Sequence, residues 1–134
     1  MIRIVLDTNI LVSAIIRNGN PRNLFQLGID GKYQILISKE ILDELFEVLQ
    51  RPKFKMTRED IIHIVSTLLE TAQIVRLTSN FKVISKDPDD NIIINTAHDG
   101  NANYIVSGDK DIRDLKNFQK IKIVSVYEML KILE

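Results

Sequence analysis

The chain has 134 residues, 45% of them apolar, with 18 basic residues, 18 acidic residues and no cysteine. Such a length and apolar content suit one domain with one real core, and the absence of thiols excludes disulfide scaffolds and thiolate metal sites. The zero net charge gives no global signature for nucleic acid or a membrane surface, so any polyanionic partner must be met by a local patch.

The opening "MIRIVLD" is too short, and too soon interrupted by Asp7, to be a signal peptide or a membrane span; a soluble cytoplasmic protein is expected. It reads instead as a first strand, Ile2–Leu6, with Asp7 at its carboxyl end and Asn9 as a natural cap for a helix over Asn9–Arg17. A second helix is predicted over Pro21–Asp30. The β-type run Gln34–Ser38 follows, and Ser38 is placed to cap the helix Lys39–Arg51, "KEILDELFEVLQR". On a helical wheel Ile41, Leu42, Leu45, Phe46, Val48 and Leu49 form its buried arc, and Glu40 and Glu47 lie in the middle of the polar face. Asp43 and Glu44 stand on the two borders, where either can reach inward. A helix over Thr57–Thr71 and a strand over Gln73–Leu77 come next.

The stretch "ISKDPDDNIIINTAHDG" crowds three carboxylates in front of an apolar run. With Pro88 in the first helical position, Asp87 becomes the N-cap, and the helix runs to about Asp99, where Gly100 ends it. Ile93, Ile94 and Ala97 form the core-facing stripe, and stepping back along that stripe lands on Asp90. Asp87 and Asp89 read as acids that complement the helix dipole. Asp90 points at the interior, where a carboxylate must be paired, hydrogen-bonded or metal-bound. Strands over Tyr104–Ser107 and Lys122–Ser125, a short helix near Ile112–Lys116 and a last helix Tyr127–Leu133 complete the chain. In "VSGDKD", Gly108 permits a tight exit from a strand, and Asp109 and Asp111 follow at once.

Alternation of strands and helices implies a parallel sheet covered on both faces, a three-layer α/β/α fold whose ligand site lies beyond the carboxyl ends of the strands. Several acids therefore converge on one sheet edge. Crowded carboxylates raise one another's pKa, and the usual compensation is a hard divalent cation; with no histidine or cysteine close by, Mg²⁺ or Mn²⁺ is favoured over zinc. His63 and His98 read as ordinary helix residues.

The ordered set "LDTN", "SKEILDELFEVLQRPKF", "DPDDN" and "VSGDKDI" resembles the PIN domain, and more narrowly the PIN family labelled as toxins of toxin–antitoxin systems, over nearly the whole chain. The resemblance implies a five-stranded parallel sheet and a metal-dependent ribonuclease site of four acids: Asp7, Glu44, Asp90 and Asp109, with Asp111 as a further metal ligand. It thus selects Glu44 from the pair left open by the wheel. Many toxins of that family carry another residue where this chain has Asp109, so Asp109 and Asp111 are both retained. Single-stranded RNA as substrate, one or two bound ions, an antitoxin protein and a second copy of the chain as partners are likewise implications of the resemblance.

Within this reading Asp7 is shared between metals, Asp90 and Glu44 bind the first ion, and Asp109 with Asp111 binds the second, while Thr8, Asn9 and Ser107 orient the carboxylates. RNA must be held by cations at the rim, for which Arg51 and Lys53, with Lys55 and Arg58, form one group and Lys110, Arg113 and Lys116 another. Two rivals are weaker. A phosphotransfer enzyme with its nucleophile at Asp7 would need a second acid where Asn9 stands, or an acid pair before the first strand. A non-catalytic PIN-like module that binds RNA or protein would have lost an acid, and none is missing.

Overall fold

The computed structural model describes residues 1–84 and 86–134. Its strands are β1 (Arg3–Leu6), β2 (Gln34–Ser38), β3 (Gln73–Val75), β4 (Tyr104–Val106), β5 (Asn117–Phe118) and β6 (Ile121–Val124). They form one sheet in the order β3–β2–β1–β4–β6–β5. The five strands expected from the sequence all pair parallel. Only β5 runs antiparallel, joined to β6 by a hairpin. That sixth strand is an addition to the predicted sheet. Its turn uses Gln119 in the left-handed region (φ 54°), and Lys116, just before β5, takes the same region (φ 61°), where turn chemistry would favour Asn or Gly.

The helices are α1 (Thr8–Ile16), α2 (Asn20–Ile29), α3 (Lys39–Leu49), α4 (Arg58–Thr71), α5 (Asp90–Asp99), α6 (Lys110–Arg113) and α7 (Val126–Leu133), with a 3₁₀ turn over Pro52–Phe54. With the sheet they give the three-layer α/β/α arrangement. The central strands are apolar on both faces, and Ile4, Val5, Leu6, Leu36, Ile37, Ile105 and Val106 are fully buried, as a sheet covered on both sides requires. α5 packs across β1, β2 and β4 through Ile93, Ile94 and Ala97. Gly28 brings α2 close to β2: a Cβ there would stand 2.6 Å from Ile35 Cδ1.

Several helix starts differ from the sequence reading. α1 begins at Thr8, and Asp7 occupies the cap position, its carbonyl accepting from Ile10 N and Leu11 N. Asn9 therefore lies inside the first turn. α5 begins at Asp90, not Pro88. Asp87 instead caps the preceding turn: its side chain accepts from Asp89 N at 3.0 Å, and its carbonyl accepts from Asp90 N. α6 begins at Lys110, ahead of the predicted Ile112, because Asp109 Oδ1 takes the amides of Asp111 and Ile112 at 2.8 and 3.3 Å and so nucleates the turn.

The segment from Thr78 to Ile84 lies along α5 in an arrangement that the sequence reading did not anticipate. Asp99 accepts from the amides of Thr78 and Ser79. Asn95 bonds the Ser79 hydroxyl and both backbone groups of Phe81. Asn91 takes both backbone groups of Ile84, each at 2.9 Å. Three polar side chains four residues apart on one helix face thus satisfy an extended strap that no strand pairs with. The strap runs from the end of α5 back to its start and delivers the acidic turn in front of it.

Candidate active site

β1 has β2 on one side and β4 on the other, so strand order reverses beside it, and the crevice beyond the carboxyl ends of β1 and β4 is the expected ligand position. Asp7 follows β1 directly, is 6% exposed, and donates its backbone amide to Val106 O at 3.0 Å. Ser107, fully buried after β4, donates its hydroxyl to Asp7 Oδ2 at 2.7 Å. The same hydroxyl oxygen accepts from Asp109 N at 3.0 Å. One serine therefore ties the exits of two adjacent strands together and fixes both acids.

The other acids arrive from two helices. On α3, Asp43 is exposed and paired with Lys39 at 2.7 Å, whereas Glu44 is half-buried and feels the charges of Asp7, Asp89 and Asp87. Of the two border acids, Glu44 is the one close enough to Asp7 to feel its charge. Asp90, also half-buried at the start of α5, feels Asp109, Asp87, Asp7 and Asp111. Asp111 lies 3.7 Å from Lys86, a cation at this edge that the sequence reading passed over. Asp87 and Asp89, read from sequence as ordinary helix-start acids, belong to the same field of negative charge.

Burial and mutual repulsion show in the proton affinities. Burial foremost raises the carboxyl of Asp7, against the hydrogen bond from Ser107 and the backbone of Asn9, with Asp109 adding repulsion. Burial, then the charge of Asp7, raises Glu44. Asp90 is pushed up to about 7, by burial first and then by Asp109 and the other acids. Thr8 Oγ1 is buried without a partner in hydrogen-bonding geometry, yet it stands near enough to Glu44 to favour the ionised carboxylate. Asn9 is exposed.

Among the described residues no group of three acids or histidines is drawn together tightly enough to hold an ion as it stands. Mutual repulsion is the physical reason to expect this spacing without a cation. The donor chemistry nevertheless fits a hard divalent cation: the candidate donors are all oxygen, the ionised forms of Asp7, Glu44 and Asp90 are held at a cost, and a buried hydroxyl lacks a partner. Both histidines lie elsewhere; His98 bonds Asp99 at 3.0 Å and His63 sits on α4.

Of the rim cations, Lys110 is paired with Asp114 at 2.6 Å and Arg113 approaches Glu128 at 3.8 Å. Both line one cavity beside the acids together with Gly108 and Lys116. Arg51 and Lys53 stand beyond the far end of α3 from Ser38, roughly 16 Å along the helix axis at 1.5 Å per residue. Lys53 lies over the Phe54 ring at 5.1 Å. Among the described residues no helix is long and apolar enough to cross a membrane.

Comparison with known proteins identifies a family and a shared fold. The family described as PIN domain matches residues 3–111. An uncharacterized protein of Methanocaldococcus jannaschii is 32% identical over 131 residues, a match covering 94% of this chain and 83% of that protein. Two solved structures share the fold. VapBC2 from Rickettsia felis, bound to a DNA fragment from its promoter, superposes with a TM-score of 0.64 at 19% identity, covering 92% of this chain and 98% of that one. DNA-bound VapBC from Salmonella typhimurium gives a TM-score of 0.64 at 17% identity, covering 94% of this chain and 99% of that one.

Proposed function

The chain belongs to the PIN domain family, and from that premise we propose that it is a metal-dependent endoribonuclease that hydrolyses phosphodiester bonds of single-stranded RNA and acts as the toxin of a toxin–antitoxin pair. The observation that carries the reading is the gathering of Asp7, Glu44, Asp90, Asp109 and Asp111 at the carboxyl edge of β1 and β4, where burial and repulsion raise the proton affinities of the first three. A binding module has no need of acids held at such a cost.

Asp7, Glu44, Asp90 and Asp109 are the acids we assign to Mg²⁺ or Mn²⁺, with Asp111 completing the set. When bound, such ions supply an activated water and neutralise charge on the phosphate being cleaved. The protein's part is placement. Ser107 holds the Asp7 carboxylate through Oδ2 and the Asp109 backbone through its amide, so two ligands keep a fixed separation while a substrate strand enters. Asp109 accepts the amides of Asp111 and Ile112 at Oδ1, which leaves Oδ2 for an ion. Thr8 Oγ1, unpartnered and beside Glu44, is available to donate to that carboxylate once it is fully ionised. Phosphates are held at the rim by Lys110, Arg113 and Lys116, which line one cavity, and by Lys86 beside Asp111. The VapBC resemblance in fold supports an antitoxin as partner.

The test is addition of Mn²⁺ or Mg²⁺ to metal-free protein purified away from contaminating nuclease. Cleavage of single-stranded RNA and a higher melting temperature are expected together, since an ion that binds only the folded state stabilises it by mass action. Chelator has to reverse both. Neither effect at millimolar Mn²⁺ would remove the metal site and the nuclease with it.

A further inference from the structure

Deep between α3 and α5, the side-chain hydroxyls of Ser38 and Thr96 meet at 2.8 Å, and neither residue has any exposed surface. Ser38 ends β2 and caps α3, its Oγ accepting from Ile41 N at 3.3 Å. Thr96 lies on α5 with its hydroxyl 2.7 Å from Ile92 O. Each hydroxyl has one proton, so a single arrangement satisfies every atom: Thr96 donates to Ile92 O, and Ser38 donates to Thr96 Oγ1 while accepting from Ile41. A pair of apolar residues would fill the same space at the loss of the α3 cap, and nothing in that cap calls for Thr96. Packing alone does not call for the pair.

Each of the two helices that it joins carries one of the acids. Glu44 lies on α3, and α5 opens on Asp90 just after Asp87 and Asp89; the last two repel Glu44 across the gap. Like charges on neighbouring helices push the helices apart, and the hydrophobic effect that holds them together is itself non-directional. A hydrogen bond between side chains is directional and weakens steeply when its angle departs from linearity.

The geometry points to Ser38 and Thr96 as positioning residues, a buried hydroxyl bridge that locks α3 against α5 and so sets the separation of Glu44 and Asp90. This rests on the reading of those acids as ligands for a divalent cation. The bridge acts in the metal-free protein, where repulsion is unopposed, and it keeps the acids close enough for an ion to be captured.

The measurement is Mn²⁺ affinity of the metal-free protein by calorimetric titration, at a temperature where each variant is fully folded. Thr96→Val, which keeps the shape and removes the hydroxyl, should weaken Mn²⁺ binding by about 3- to 30-fold, less than the roughly 10- to 100-fold typical of groups bonded directly to metal ligands. Thr96→Ser restores the hydroxyl and should bind within about twofold of wild type. Ser38→Ala breaks the bridge from the other side and should weaken binding comparably, with the double variant little worse than either single one because the two act as a unit. Ile123→Val, a core change on β6, controls for lost stability: it should lower the melting temperature with affinity unchanged. If Thr96→Val or Ser38→Ala melts lower yet binds Mn²⁺ as tightly as wild type, the bridge serves the fold alone and the proposal is overturned. A wild-type protein that takes up no Mn²⁺ overturns it differently, by removing the ligand reading first.

Discussion

Replacing Asp90 with asparagine separates a functional carboxylate from a structural one, and pH makes the separation quantitative. Asp90 is pushed up to about 7, against 3.8 for an ordinary aspartate. Each tenfold change in proton affinity corresponds to ~1.4 kcal/mol, so ionising Asp90 in the metal-free fold costs at most ~4 kcal/mol. Solvent reaching a half-buried acid at an open edge screens its neighbours, which brings the figure to about 1–2 kcal/mol. The sign follows from linkage: a carboxyl whose folded-state pKa lies above its unfolded one binds protons better in the fold, so its contribution is present at low pH and is lost as pH rises from about 4 through about 7. Metal-free wild type should therefore lose stability across that window, and Asp90→Asn, which cannot ionise, should lose less. At pH 8 the variant should be more stable than wild type by about 1–2 kcal/mol, with the difference vanishing near pH 4. Urea denaturation at a series of pH values, with chelator present, reads this directly. In the same variant the Mn²⁺-induced rise in melting temperature and RNA cleavage should both disappear. Were Asp90 a cap or half of a buried ion pair, the substitution would cost about 1 kcal/mol or more and spare activity. A destabilised, active Asp90→Asn would refute the reasoning about this helix and the site built on it.

Other expectations can be checked independently. RNA affinity should fall steeply with salt, and Lys116→Gln should make the slope shallower by ~0.7 for the one phosphate contact it removes from a single strand. Lys110→Gln should change it less, because Lys110 is already paired with Asp114; equal slopes in both variants and wild type would dismiss this patch. Asn91→Ala leaves the amide and carbonyl of buried Ile84 without partners and should cost about 2–4 kcal/mol in denaturant unfolding. Gly28→Ala forces a methyl to within 2.6 Å of the Ile35 side chain, which should cost about 1–3 kcal/mol, measurable as a lower melting temperature. Asp99 is held well below the usual carboxylate range by the amides of Ser79 and Thr78 and by His98, against the opposing effect of its burial. Its contribution is therefore present above about pH 4 and fades only as the solution becomes strongly acidic, so Asp99→Asn should unfold more easily at pH 7 than wild type and approach it in strong acid.

The legible parts of the chain were those where a single periodicity decides the outcome. The parallel strands are near-continuous apolar runs that only a doubly covered sheet can bury, and the stripe Ile93, Ile94 and Ala97 oriented α5 well enough to point Asp90 toward the site. The wheel left Asp43 and Glu44 open because both border the apolar arc; the decision depends on which border meets the sheet edge, a tertiary fact. The true start of α5 was hidden because Asp87 caps a turn with the same chemistry that would cap a helix. β5 escaped notice since its two residues carry no alternation and its turn lacks the usual residues. Ser107, expected at a strand end to orient acids, does meet Asp7, but its second bond, to Asp109 N, could not be read from spacing. The bridge of Ser38 to Thr96 joins residues 58 positions apart, beyond any local pattern.

The strap along α5 behaves as a vernier. Successive rungs on the helix, Asn91, Asn95 and Asp99, are about 6 Å apart at 1.5 Å per residue, while two extended residues span about 6.6 Å. The two scales nearly coincide from Ser79 to Phe81, and the strap meets its last rung three residues further on, at Ile84, where the chain is not fully extended. Length is thereby encoded in the segment more strictly than amino-acid identity: the bonds at Phe81 and Ile84 use backbone atoms, so side chains there can vary, whereas one residue deleted between Ser79 and Ile84 leaves a rung unmatched or drags Lys86 and Asp87 out of place. The strap should accept many substitutions and almost no insertions or deletions, the reverse of an ordinary surface loop.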